Sequence, residues 1–262
     1  MKKIVVLIVP VLIFSCNGEQ TTSTETNSDT DQKKDSIVSE PDVIITNELP
    51  AKNRFEILAD EEEYTISEAL SSINSEYNKG QKLSVVKTED EELLLLIAYN
   101  NSDETETWRL GIDAIYGGVS SVRLEYADIN KDEVKDELVI WWEQYEGNNG
   151  MQSGYESEKM GLIIIDVMNR NEMLNFVYSS HYASYSAGEN ADVNNPDYHA
   201  KMAEDSEWEI CSFSHKVALV DNEIQISDYY REVEGMGECV LQQYADGTYS
   251  FNVAEEKFML KQ

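Results

Sequence analysis

The chain has 262 residues, 51 of them acidic and 20 basic, for a formal net charge of −31. A surface this negative repels nucleic acid and anionic lipid, which excludes nucleic-acid binding. At 41% hydrophobic residues there is enough apolar material for a folded core, and no segment beyond the N-terminus approaches the ~20 uninterrupted apolar residues of a spanning helix.

Met1-Lys2-Lys3 followed by Ile4 to Phe14 is a charged and then apolar leader, interrupted by Pro10 and of secretory-signal length. Ile13-Phe14-Ser15-Cys16 closes it. This resembles a lipobox, the cleavage site of bacterial lipoproteins, with Phe14 bulkier than the usual residue there. The resemblance implies removal of residues 1–15, lipidation of Cys16 and anchoring in the cell envelope, on the periplasmic or surface face of the outer membrane. An ordinary signal peptide with an incidental cysteine is the alternative. Cleavage removes two lysines and no acids, so 18 basic residues would face 51 acids and the charge would become −33. Residues 16–48 are mostly Thr, Ser, Asn, Asp and Glu, and are expected to form a disordered spacer. Asn17, Gly18 and Glu19 make a faint version of the acidic signals that direct some lipoproteins outward.

Residues 49–262 are expected to form a single domain with no internal repeat. Thr65-Ile66-Ser67-Glu68 reads as a capping box, with Tyr64 stapled onto Ala69. Ile66, Ala69, Leu70, Ile73 and Tyr77 then recur at helical spacing up to Lys79-Gly80. A second short helix is expected from Asn195 to Ala203. The remainder reads as strands: Leu83–Val86, Leu93–Tyr99, Trp108–Ile112, Val119–Tyr126, Leu138–Glu143, Leu162–Val167, Met173–Tyr178, Val217–Val220, Ile224–Ser227, Leu241–Tyr244 and Tyr249–Val253. Turn residues join several of these as hairpins, among them Asn169-Arg170-Asn171, Asp221-Asn222 and Asp246-Gly247. The expected fold is mainly β, an antiparallel sheet or sandwich-like domain with one or two short helices. An α+β arrangement fits the same elements.

The most informative stretch is Asp128-Ile129-Asn130-Lys131-Asp132-Glu133-Val134-Lys135-Asp136, which runs into the apolar Leu138 strand. Side-chain oxygens at loop positions 1, 3, 5 and 9, with the Val134 carbonyl at 7, suit a loop wrapped around a hard divalent cation. Three carboxylates facing one point repel one another unless a cation neutralises them. The stretch resembles the calcium loops of FG-GAP and VCBS-type repeats. That resemblance implies structural Ca2+ held by Asp128, Asn130, Asp132, Val134 and Asp136. Glu133 departs from it, standing where such loops carry Gly at a left-handed position. An EF-hand fits worse, because position 12 is Val139. A metal-free acidic turn is the plain alternative.

Cys211 and Cys239 remain once Cys16 is lipidated, and in an oxidising envelope they read as a disulfide, with two buried thiols as the alternative. The histidines His181, His199 and His215 form no zinc-binding spacing. Glu143 to Tyr155 and Tyr178 to Asn190 read as loops rich in Tyr, Ser, Gly and Asn. Tyr145, Tyr155, Tyr182 and Tyr185 would there meet a partner, an envelope protein or a glycan; two flexible hairpin connections with tyrosines on the strand ends are the plainer alternative. These features point to a lipid-anchored binding or scaffold module with structural calcium. The alternative is a hydrolase acting on glycans or other envelope polymers, with Glu143 or Glu146 in a Tyr-lined cleft.

Overall fold

The structure, a computed structural model, describes residues 42–50, 56–58, 63–99, 105–112, 118–149, 153–186, 207–236 and 239–261. They are all β. A five-stranded antiparallel sheet has the order β2-β6-β5-β4-β3, from strands β2 (Glu56–Ile57), β3 (Ile66–Asn74), β4 (Gln81–Thr88), β5 (Leu93–Tyr99) and β6 (Thr105–Leu110). An eight-stranded antiparallel sheet has the order β15-β14-β12-β11-β10-β9-β8-β7. Its strands are β7 (Val119–Ala127), β8 (Glu137–Asn149), β9 (Ser153–Asp166), β10 (Asn171–Ser186), β11 (Glu207–Val220), β12 (Glu223–Glu234), β14 (Gly247–Asn252) and β15 (Lys257–Leu260). The parallel pair of β1 (Asp42–Thr46) and β13 (Val240–Tyr244) completes the architecture.

The apolar run in β8 is explained by burial on both faces. Leu138, Ile140 and Trp142, with Ile163 and Ile165 of β9, pack on Leu83, Val85, Leu93, Leu95, Ile97 and Trp108 of the smaller sheet. On the other face Val139, Trp141, Leu162 and Ile164 pack with Leu174, Phe176, Ile224, Tyr244, Tyr249 and Phe258. The larger sheet therefore packs one face on the smaller sheet in an open, sandwich-like arrangement, while its other face encloses a second core that Leu49 and Tyr244 of β13 also enter. Gly161 is required at its centre, because a Cβ there would lie 2.3 Å from the Trp142 indole. Gly161→Ala is expected to lose about 1–3 kcal/mol by overpacking; an unchanged urea midpoint would show that the indole yields freely.

The helix expected after Thr65 is instead β3, an edge strand, and no helix occurs among the described residues. Its ladder with β4 carries two irregularities, between Ile66 and Glu68 and between Ala69 and Ser71. The second shifts the two-residue alternation by one, so Leu70 and Ile73 face the core three residues apart; Tyr77 joins them from beyond the strand, and Ile66 is exposed. Ser67 caps nothing: its hydroxyl donates across the ladder to the Lys87 and Thr88 carbonyls, at 3.0 and 2.9 Å. The helix expected at 195–203 lies outside the described residues. The spacer expected to reach residue 48 ends sooner, since 42–46 form β1 and Leu49 is 2% exposed. Asp246-Gly247 does not join a β13–β14 hairpin, because β13 pairs with β1 while β14 pairs with β12 and β15.

Cys211 and Cys239 are joined by a disulfide, with Cα atoms 5.8 Å apart, tying β11 to the residue before β13. Close by, His215 packs against the rings of Tyr229 and Tyr244 at 4.9 and 5.3 Å. His215 Nε2 lies 3.2 Å from the Tyr244 N–H and 3.4 Å from the Gln242 carbonyl, while Nδ1 is buried without a partner. Burial holds its pKa below the 6.5 of a solvated imidazole. The unfolded chain therefore takes up a proton first on acidification, and this part of the stability, intact above pH 6.5, is lost as pH falls below it. The parent's melting temperature should drop more steeply from neutral to mildly acidic pH than that of His215→Gln, whose amide oxygen still accepts from Tyr244. Parallel pH profiles would refute this.

Candidate metal loop and tyrosine-lined hollow

The Asp128–Asp136 loop connects β7 to β8 and is built from side-chain caps. Asn130 Oδ1 accepts the Asp132 N–H at 2.9 Å, and Asp132 Oδ1 accepts the Val134 N–H at 2.9 Å. These turns in series place Lys131 and Glu133 at φ 63° and 72°. Glu133 thus adopts the left-handed backbone for which a glycine would be favoured, at a cost of roughly 1–2 kcal/mol.

Neighbours hold this loop in place. The Asp128 N–H donates to Asn222 Oδ1 at 3.3 Å, and the buried Ile129 N–H donates to Glu137 Oε2 at 3.0 Å. Lys131 Nζ and Lys261 Nζ both reach Glu223, at 2.6 and 2.5 Å, and hold its carboxyl below the usual range. The β11–β12 turn therefore braces the loop.

Within this frame the oxygens are poorly matched. Asp128 Oδ1, Asp136 Oδ1 and Glu137 Oε1 are buried without a hydrogen-bond partner. Burial, followed by the neighbouring Asp166 and Asp132, pushes the Asp136 carboxyl up to about 6. Burial likewise pushes Glu137 up to about 7. Asp166 is itself occupied, accepting from the Asn169 N–H and side-chain amide at 2.8 and 2.7 Å.

The expected ligands fit calcium in kind but not yet in position. Asn130 Nδ2 donates to Asp132 Oδ2 at 3.2 Å, an oxygen that a cation would have to claim. Val134 is exposed. Among the described residues no group of three His, Cys, Asp or Glu side chains stands ready to grip a metal. Hard oxygen donors, two of them on buried unpartnered carboxylates, nevertheless suit a hard cation.

Around the Tyr-rich segments the structure corrects the expectation of loops. Tyr145 lies on β8, Tyr155 on β9, and Tyr182 and Tyr185 on β10, in long strands that extend past the core. Their register sets Asn148, Tyr155, Ser184 and Glu209 in one cross-strand row, with Glu146, Ser157, Tyr182 and Cys211 in the next row on the same face. A hollow of about 900 Å3 opens at this end of the sheet, lined by Asn148, Tyr155, Tyr182, Ser184 and Glu209 of these rows and by Glu234, which the register places in an alternate row with Ala183 and Ile210. The Tyr155 hydroxyl donates to Glu146, and Ser184 Oγ donates to Glu209 Oε2 at 3.3 Å.

Tyr185 also lines the hollow, as does Trp208, but the ring of Tyr185 covers the opposite face of Gly154, where a Cβ would meet it at 2.6 Å. The Tyr185 and Trp208 rings pack together at 5.1 Å. Tyr145 is not among the described residues lining the hollow and stands exposed on its own. Of the four expected tyrosines, Tyr155 and Tyr182 share one face and Tyr185 enters the lining from the other, while Trp208 and Glu209 carried no recognisable signal in sequence. Cys16 lies outside the described residues.

One further constellation escaped the sequence. His181 Nδ1 lies 2.5 Å from Ser212 Oγ, and Nε2 lies 3.2 Å from Glu156 Oε1. Ser212 is 5% exposed within a paired strand, a poor position for a nucleophile, so the trio is read as a cross-strand brace. No family model, curated protein or solved structure matches this chain.

Proposed function

We propose that this is a lipid-anchored envelope protein, a non-enzymatic binding or scaffold module whose β domain is stiffened by calcium at Asp128–Asp136. The buried, unpartnered oxygens of Asp128 and Asp136 at the start of a two-sided core strand carry this reading. Calcium would be held by Asp128, Asn130, Asp132 and Asp136 side chains and the Val134 carbonyl. It would neutralise charge that the fold otherwise keeps at a cost. Loss of the calcium-dependent rise in melting temperature in Asp132→Ala and Asp136→Asn tests it.

The anchor is Cys16, with the acidic spacer supplying reach toward a partner. Cys16→Ala should move the protein from the membrane fraction to the soluble one, because acyl chains on the N-terminal residue contribute about 0.8 kcal/mol per buried methylene. Continued sedimentation of that variant with membranes would refute the anchor. Partner binding falls to the tyrosine-lined hollow. A glycan hydrolase is the competing function, but Glu146 is engaged by Tyr155 and Glu209 by Ser184, and the carboxyls that burial raises, Asp136 and Glu137, belong to the metal loop.

A further inference from the structure

We propose that the hollow bounded by Tyr155, Tyr182 and Glu209 binds an arginine side chain presented by a peptide segment. This rests on reading the domain as a binding module, and it names the chemistry of the partner. The described lining contains tyrosines, serines, Asn148, Trp208, Glu209 and Glu234, but no lysine or arginine. Glu146, which is not among the described lining residues, accepts the Tyr155 hydroxyl. The whole chain carries a formal charge of −31, so the field at the mouth of the hollow draws in cations and repels acidic ligands.

Among cations, guanidinium fits this set of groups best. It is planar and weakly hydrated, stacks on phenol rings, and hydrogen-bonds carboxylates with two N–H groups at once. An ammonium group lacks that fork, and a quaternary ammonium cannot donate at all. Ser184 Oγ pins one oxygen of Glu209, which limits the rearrangement needed on binding. At about 900 Å3 the hollow has room for a short peptide around the arginine. A neutral sugar would also donate its hydroxyls to the carboxylates, but only a cation gains from the net charge as well.

Titration calorimetry on the full-length chain in detergent tests the proposal, with three probes: an acetylated Gly-Arg-Gly-Arg-Gly peptide, its citrulline counterpart, and a neutral chitin tetrasaccharide. The arginine peptide should bind at least tenfold more tightly than the citrulline peptide, which has nearly the same shape without the charge. Tyr182→Ala should weaken it about tenfold and Glu209→Gln at least fivefold, while Tyr182→Phe keeps the ring and binds like the parent. Equal binding of arginine and citrulline peptides, no peptide binding, or arginine binding unchanged by Tyr182→Ala and Glu209→Gln would overturn it, the last as mere attraction to an acidic surface. Tetrasaccharide binding that Tyr182→Ala abolishes, without peptide binding, would overturn the arginine claim yet leave the binding module standing. Failure of every probe to bind would count against both.

Discussion

Calcium at about 10 mM should raise the melting temperature by roughly 5–10 °C. Extracellular calcium modules bind at about 10⁻⁴ M, and a hundredfold excess over Kd contributes about 2.7 kcal/mol. Each kcal/mol moves the transition of a domain this size by about 2–4 °C. The two loop variants should lose this rise for different reasons. Asp132→Ala removes both a proposed ligand and the cap on Val134 N–H, so it should melt lower even in chelator. Asp136→Asn keeps the shape but removes a charge that is 2% exposed and lacks a partner at Oδ1. Its melting point in chelator should equal or exceed the parent's, with no response to calcium. Identical melting of the parent in chelator and in calcium would end the metal reading and leave a braced acidic turn.

Reduction of the Cys211–Cys239 disulfide, or the Cys211→Ala/Cys239→Ala double variant, should lower stability by about 3–4 kcal/mol. The bridge closes a loop with a sequence separation of 28, and the chain-entropy relation gives that figure for such a length. Its effect is local as well as global. Cys239, Phe213 and Leu241 share a small core cluster, and among the described residues β13 has hydrogen-bonded strand pairing only with the parallel β1. Loss of the bridge should therefore expose β1 and β13 to hydrogen exchange before β8 and β9 open. Uniform exchange across all strands in the reduced protein, or an unchanged denaturation midpoint, would contradict this.

What could be read from the sequence differs by element. Leu138–Trp142 and Leu162–Val167 announced their burial because a strand covered on both faces must be apolar without alternation, whatever the topology. Asp221-Asn222 announced a hairpin because both residues tolerate the left-handed backbone they adopt, at φ 52° and 62°. The cysteine pair was legible from its number and expected compartment. In β3 the sequence pointed the wrong way, because a bulge on an edge strand and an inward Tyr77 just past its end imitate the period of a helix. The Tyr-rich stretches read as loops because their polar composition suits strands that leave the core and meet water, and composition alone does not separate the two.

By itself the sequence determined a mainly β chain, its most buried strands, its strong negative charge and a loop of oxygen donors in calcium-like order. All of these follow from side chains close together along the chain, where period, charge and spacing act directly. Only the tertiary structure decided that Glu223 and Asn222 brace that loop, that two carboxylate oxygens inside it lack partners, and that Tyr155, Tyr182 and Glu209 share one hollow. The physical reason is register. A strand pairing that slips by one residue turns every side chain to the other face, and nothing local in those segments fixes which neighbour lies opposite.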